Sequence, residues 1–205
     1  MVGGRVQRVL VDANVLYPKT LRDWLCLLYF HGGSGMFQVY WTEDIMAETI
    51  YKLRKRYPHA SEIEIGGVRR KIVETLGEHN AITGYVIDEG LQYPDLFDAH
   101  VHCAAVHGGI DILLTEDMRG FKFDNLDDLP YEVYSADDFF QLVDDSQPQL
   151  VVRVMEEQLR YWVARKGRSL PDALRTAKAP VFAERIRTYL QSADVERILR
   201  TTSNT

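Results

Sequence analysis

Three short, mostly apolar runs end abruptly in polar residues, and this most restricts the fold. VQRVLV (6–11) gives way to Asp12-Ala13-Asn14, FQVYW (37–41) to Thr42-Glu43-Asp44, and IDILLT (110–115) to Glu116-Asp117. Runs of this length and composition suit buried strands of a parallel sheet, whose faces are both covered. Helix-length segments separate them. TLRDWLCLLYFH (20–31) is apolar and stopped by Gly32-Gly33-Ser34-Gly35. DIMAETIYKLRKRY (44–57) follows Thr42 as N-cap and ends at Pro58. Ser61 and Glu64 fit a capping box for a helix reaching about Leu76. ITGYVID (82–88) reads as a weak strand or an extended segment, and Asp95 stands as an N-cap ahead of FDAHVHCAAVHGG. YEVYS (131–135) reads as a further strand and ADDFFQLVDD (136–145) as the helix after it. Alternation of this kind predicts an α/β fold with a central, mostly parallel sheet.

Pro148 marks the expected boundary, between a domain over 1–147 and an all-helical extension over 148–205. Helices are predicted in QLVVRVMEEQLRYWVARKG, SLPDALRTAK (Ser169 as cap) and APVFAERIRTYLQ, with a frayed TTSNT after them. Val151, Val154, Met155, Leu159 and Trp162 form an apolar stripe that something must cover.

Charge divides at the same boundary. Residues 1–148 carry 13 Lys and Arg against 24 Asp and Glu, whereas residues 149–205 carry 11 against 6. A nucleic acid partner would therefore have to be met by local basic patches. Candidates are Lys52, Arg54, Lys55 and Arg56, then Arg69, Arg70 and Lys71, then Arg119 and Lys122, and in the extension Arg160, Arg165, Lys166 and Arg168. A basic run on a helix is more simply accounted for as a solvated face. The two cysteines, Cys26 and Cys103, read as buried free thiols of a cytoplasmic protein, and no segment is long and apolar enough to suggest a membrane span.

The chemistry concentrates where the strands end. Asp12 and Asp117 directly follow the carboxyl ends of predicted parallel strands, where open α/β sheets bind ligands. Asp98 opens the helix leading into the 110–115 strand, and Glu48 lies about one and a half turns into the helix entered from 37–41. Four carboxylates from distant segments thus converge on one edge. Such a cluster is costly unless cations occupy it, and hard oxygen donors favour Mg²⁺ or Mn²⁺. Two such ions activate a water and stabilise the leaving oxygen in phosphodiester cleavage. Taken singly the acids have plainer explanations: Glu48 pairs with Lys52 at i+4, Asp95 caps a helix, Asp117 serves a turn. Zinc is the competing reading for the stretch 93–121, because His100, Cys103 and His107 fall along one helical stripe. That stripe is expected to lie well away from Asp98, with Phe97, Val101, Ala104 and Ala105 on the buried face, and three ligands on one helix rarely enclose a metal.

VLVDANVLYP, the helix bearing Glu48, PDLFDAHVHCAAVHGG and ILLTEDMRGF, in this order, resemble the PIN-domain ribonucleases, and most closely the VapC toxins of bacterial toxin–antitoxin modules. The likeness covers roughly residues 6–145. It implies a three-layer α/β/α fold and an endoribonuclease dependent on Mg²⁺ or Mn²⁺. It also implies a homodimer held inactive by a cognate antitoxin, whose basic side chain enters the acidic cleft. Asp12, Glu48, Asp98 and Asp117 match the family's four acids, Asn14 the small polar residue beside the first, and Thr115 a threonine at the strand end. Asp95 resembles an extra acid of the branch with P-D-x-x-D-x-H. That branch often has Asn in place of Asp117 and Asp in place of Gly120, which leaves Glu116 as a substitute. The alternative is a catalytically weak PIN-like protein that binds RNA or a partner. A response-regulator receiver would need a lysine after a late strand, where YEVYS is followed by ADDFF, and no P-loop motif occurs.

Overall fold

The computed structural model describes residues 6–32, 35–122, 129–164, 169–194 and 198. Four strands, β1 (Gln7–Val11), β2 (Phe37–Tyr40), β3 (Ile112–Leu114) and β4 (Glu132–Tyr134), form one sheet in the order β2-β1-β3-β4. Every pairing is parallel, with Val9 opposite both Val39 and Ile112, and Leu113 opposite Val133. Because all strands run the same way, their carboxyl ends share one edge. Chain order reverses across β1, which has β2 on one side and β3 on the other. The crevice at that reversal lies just beyond Val11 and Leu114.

The helices are α1 (Ala13–Leu16), α2 (Lys19–Gly32), α3 (Glu43–Arg56), α4 (Glu62–Leu76), α5 (Ala99–His107), α6 (Ala136–Ser146), α7 (Pro148–Ala164), α8 (Leu170–Thr176) and α9 (Pro180–Ser192). The expected caps form: Thr42 Oγ1 accepts from the Ile45 amide at 3.0 Å, and Ser61 and Glu64 make a reciprocal capping box. This α/β arrangement is compatible with three layers.

One local expectation fails, and of the two readings for residues 82–88 the extended segment is the one found. Residues 82–88 form no strand; only Ala81 bridges to Trp41, and Val86 is 82% exposed. Gly84, at φ +78, interrupts the extended run near its start. Phe97 is 89% exposed rather than buried, because Leu96–Asp98 is a 3-10 turn and the α-helix starts only at Ala99. The tighter turn rotates position 97 off the stripe that buries Val101, Ala104 and Ala105.

The helices after Pro148 share the core of the rest. Leu150, Val151, Val154, Met155, Leu174, Phe182 and Ile186 belong to the same buried cluster as Leu10, Trp24, Val39 and Phe140. At its centre the ring of Trp24 meets Phe182 edge-on, with centroids 4.9 Å apart, and Phe140 packs 5.2 Å from Phe182. Asp137 on α6 accepts from the amides of Val181 and Phe182 at 3.1 and 2.8 Å, satisfying donors that the start of α9 leaves open. Asp144 binds Arg185 at 2.9 Å and the Tyr189 hydroxyl at 2.7 Å. Body cover thus meets the apolar stripe of α7. Arg165, Lys166 and Arg168, and the terminal TTSNT, lie outside the described residues. Among the described residues no helix is long and apolar enough to cross a membrane, and both cysteines are free thiols.

Candidate acidic site

Asp12 is placed by β1 and fixed by its neighbours at the strand end. Its amide bonds the Leu114 carbonyl at 2.9 Å, extending the β1–β3 ladder by one step. Its carboxylate accepts from the Ala13 amide at 2.5 Å as N-cap of α1, and from Thr115 Oγ1 at 2.7 Å. Thr115, fully buried, is the hub: it also receives Asn14 Nδ2 at 2.9 Å and the Asp117 amide at 3.1 Å. Asn14 Oδ1 in turn accepts from the Glu116 amide at 2.8 Å. The two central strand ends are therefore stitched together by Asp12, Asn14 and Thr115. Burial pushes the Asp12 carboxyl above its usual range, opposed by Thr115, with Glu48 adding a further upward push.

Asp98 enters this edge from the start of α5. Its carboxyl is pushed up to about 7, first by desolvation and then by the charges of Asp12, Asp95, Asp117 and Glu48. Its Oδ2 is buried and has no hydrogen-bond partner. Gly120 makes room for it: a β-carbon there would stand 1.9 Å from Asp98 Oδ2. A carboxylate at position 120 is thus incompatible with Asp98 as placed. Glu48 carries both readings the sequence offered. It pairs with Lys52 at 2.7 Å, yet it is close enough to raise both Asp12 and Asp98. Asp117 is exposed, and its Oδ1 accepts the Arg119 amide at 3.2 Å. Asp95 caps the 3-10 turn by accepting the Phe97 amide at 2.9 Å while adding its charge to the field at Asp98.

Glu116 is not brought to the cluster. Its Oε1 accepts from the Ala136 amide at 3.0 Å, and its charged neighbours are Lys178, Asp137 and Asp138. His100, conversely, does not stand apart as expected: it lines a cleft of about 930 Å³ together with Asp98, Glu48, Asp44 and Tyr85. Its Nδ1 is buried without a partner. The other residues of the zinc reading are used elsewhere. His102 Nδ1 bonds the Tyr131 hydroxyl at 2.7 Å, Cys103 Sγ contacts the Tyr93 hydroxyl at 3.1 Å, and His107 is exposed.

The basic candidates scatter. Lys52, Lys55 and Arg56 line a second cavity, of about 580 Å³, beside Asn14 and Glu116. Arg54 is turned back to donate to the Ala60 carbonyl, and Arg69 pairs with Glu43 at 2.6 Å. Arg70, Lys71 and Arg119 are exposed, and Lys122 lines a cavity at the opposite ends of the strands, with Gln7, Phe37 and Ile112. Lys178 was not singled out from the sequence, yet it reaches the same cavity as Lys52. Its position in a tight turn between two helices left no periodic signal to find it by.

Among the described residues no three His, Cys, Asp or Glu side chains form a ready-made metal cage. The carboxylates nevertheless fit a hard divalent ion: they repel one another and include one buried oxygen without a donor. No family model matches the chain, and no curated protein matches it.

Proposed function

We propose that the chain is a metal-dependent endoribonuclease of the PIN type, acting as the toxin of a type II toxin–antitoxin pair. The observation that carries this is Asp98. A buried carboxylate oxygen without a donor, ringed by four other carboxylates, is an arrangement that a divalent cation relieves. Asp12, Glu48, Asp98 and Asp117 would hold Mg²⁺ or Mn²⁺. When bound, such an ion supplies Lewis acidity and an activated water for phosphodiester hydrolysis.

The remaining roles belong to the chain itself. Thr115 and the Ala13 amide fix the Asp12 carboxylate, and Asn14 keeps Thr115 in register with the strand end. Lys52 holds Glu48 beside Asp12 and partly offsets the negative field there. Discharge of this field by a basic side chain of an antitoxin is the matching mode of inhibition.

The second reading, a PIN-like protein that binds RNA or a partner with little cleavage, draws on the exposure of Asp117 and on the absence of a closed cage among the described residues. End-labelled structured RNAs incubated with Mn²⁺, Mg²⁺ or EDTA separate the two. The nuclease reading expects discrete, metal-dependent cuts that Asp98→Asn reduces by about 100-fold or more. RNA binding without metal-dependent cuts would establish the second reading.

A further inference from the structure

The seam between the first helices and the C-terminal ones holds a groove that the acidic edge does not explain. Two contiguous cavities, of about 580 and 930 Å³, share Tyr17, Pro18, Arg56, Thr176 and Ala177. The nearer one touches the acidic site through Asn14 and through Lys52, whose partner Glu48 lines the cleft on the other side. Its lining carries four cations, Lys52, Lys55, Arg56 and Lys178, against one carboxylate, Glu116. This stands out in a chain whose net charge is −6. Lys55, Arg56 and Lys178 are exposed and make no ion pair among the described residues.

Lys178 is also held in an unusual way. It follows α8 in the left-handed region, at φ 68, the only non-glycine residue there among those described. The Ala179 amide bonds back to Leu174 O at 2.9 Å and that of Lys178 to Arg175 O at 3.1 Å, closing the helix in the manner usually served by glycine. A lysine at this position costs backbone strain that glycine would avoid, and it places a cation at the groove.

We propose that this groove is an RNA backbone track, in which Lys178 from the α8–α9 turn and Lys55 and Arg56 from the end of α3 hold phosphates flanking the acidic edge. The extension is then part of the substrate surface as well as of the core. The inference rests on the nuclease reading for the identity of the ligand. Phosphate contacts fix the register of a strand without reading its sequence, and the half-buried Tyr17 ring in the wall offers a stacking face for one base.

The test is fluorescence anisotropy of the full chain with labelled single-stranded RNAs of several sequences, in EDTA, over a range of salt concentrations. Lys178→Gly removes both the charge and the strain. It is expected to raise the melting temperature while weakening RNA binding about three- to tenfold for every sequence and lowering the salt slope by about 1. Lys55→Ala/Arg56→Ala is expected to act in the same direction, and Lys178→Arg to keep wild-type affinity. A purely structural lysine would change the melting temperature alone. Unchanged affinity and slope in both the Lys178→Gly and the double variant would overturn the track and leave the groove to an acidic protein segment. No RNA binding by the wild type would overturn it as well. Binding that falls in the variants, by a wild type that cuts no RNA in Mn²⁺, would uphold the track and remove the nuclease reading instead.

Discussion

Acidic residues gather in two regions of this molecule, on α6 and at the carboxyl edge of the sheet, and the two are handled in opposite ways. On α6, Asp137 and Asp144 are 8% and 4% exposed, and each has its donors supplied by α9: two amides for Asp137, Arg185 and Tyr189 for Asp144. At the edge, Asp12 is as deeply buried but shares its neighbourhood with Glu48, and Asp98 keeps one oxygen with no donor at all. Burial of a carboxylate is therefore a poor marker of function. What separates the regions is whether the fold has provided the partner. On α6 it has, and the acids are fasteners; at the edge Asp12 and Glu48 have partners, but one oxygen of Asp98 has none.

The strongest way to break this comparison is to remove a fastener. Asp137→Ala leaves the amides of Val181 and Phe182 without an acceptor beside a buried aromatic cluster, and it is expected to cost about 2–3 kcal/mol in urea unfolding. Asp98→Asn tests the opposite region and has the opposite sign. The folded-state value of about 7 lies above the ordinary 3.8, so the native state binds more protons than the unfolded one between them. Metal-free stability should therefore fall as pH rises through that window, and in EDTA at pH 8 the Asn variant should be more stable than wild type by about 1–2 kcal/mol, allowing for screening of a half-buried group. The variant's stability should also vary less between pH 4 and 8. Equal pH profiles would show that Asp98 feels no such field. Gly120→Ala sharpens the contrast with the smallest change: its methyl displaces the Asp98 carboxylate, weakening Mn²⁺ affinity about tenfold in a calorimetric titration while metal-free stability moves by about 0.5 kcal/mol or less. Mn²⁺ itself should raise the melting temperature of the wild type at pH 8 and much less at pH 5, where Asp98 is protonated.

The sequence foretold the edge far better than the fasteners, for physical reasons. Asp12 and Asp117 stood at the ends of apolar runs, and strand ends of a parallel sheet share an edge whatever the details of packing. Glu48 and Asp98 followed from counting helical turns. Asp137, Asp144 and Arg185 gave no such signal, since an acid on a helix forty residues from its partner looks like any solvated residue until tertiary packing joins them. The rest has equally local causes. Between the two readings of residues 82–88 the positive φ of Gly84 decides, leaving an extended segment outside the sheet. The 3-10 turn at Leu96–Asp98 puts those residues out of phase with α5, so that Phe97 leaves the core and Asp98 shares a cleft with His100. The resemblance added roles for the acids, but the role of Gly120 became visible only in space.

The Trp24–Phe140–Phe182 cluster ties the first long helix to the last, and this has a bearing on the order of events during synthesis. Trp24 is made well before Phe182, so in the interval the indole has only part of its final packing. Contacts between distant parts of a chain form slowly and leave apolar surface uncovered in the interval. The strand that carries Asp12 rests on the same core through Val9, Leu10 and Val11. The core beneath the acidic edge is complete only once the chain has been made as far as Ile186.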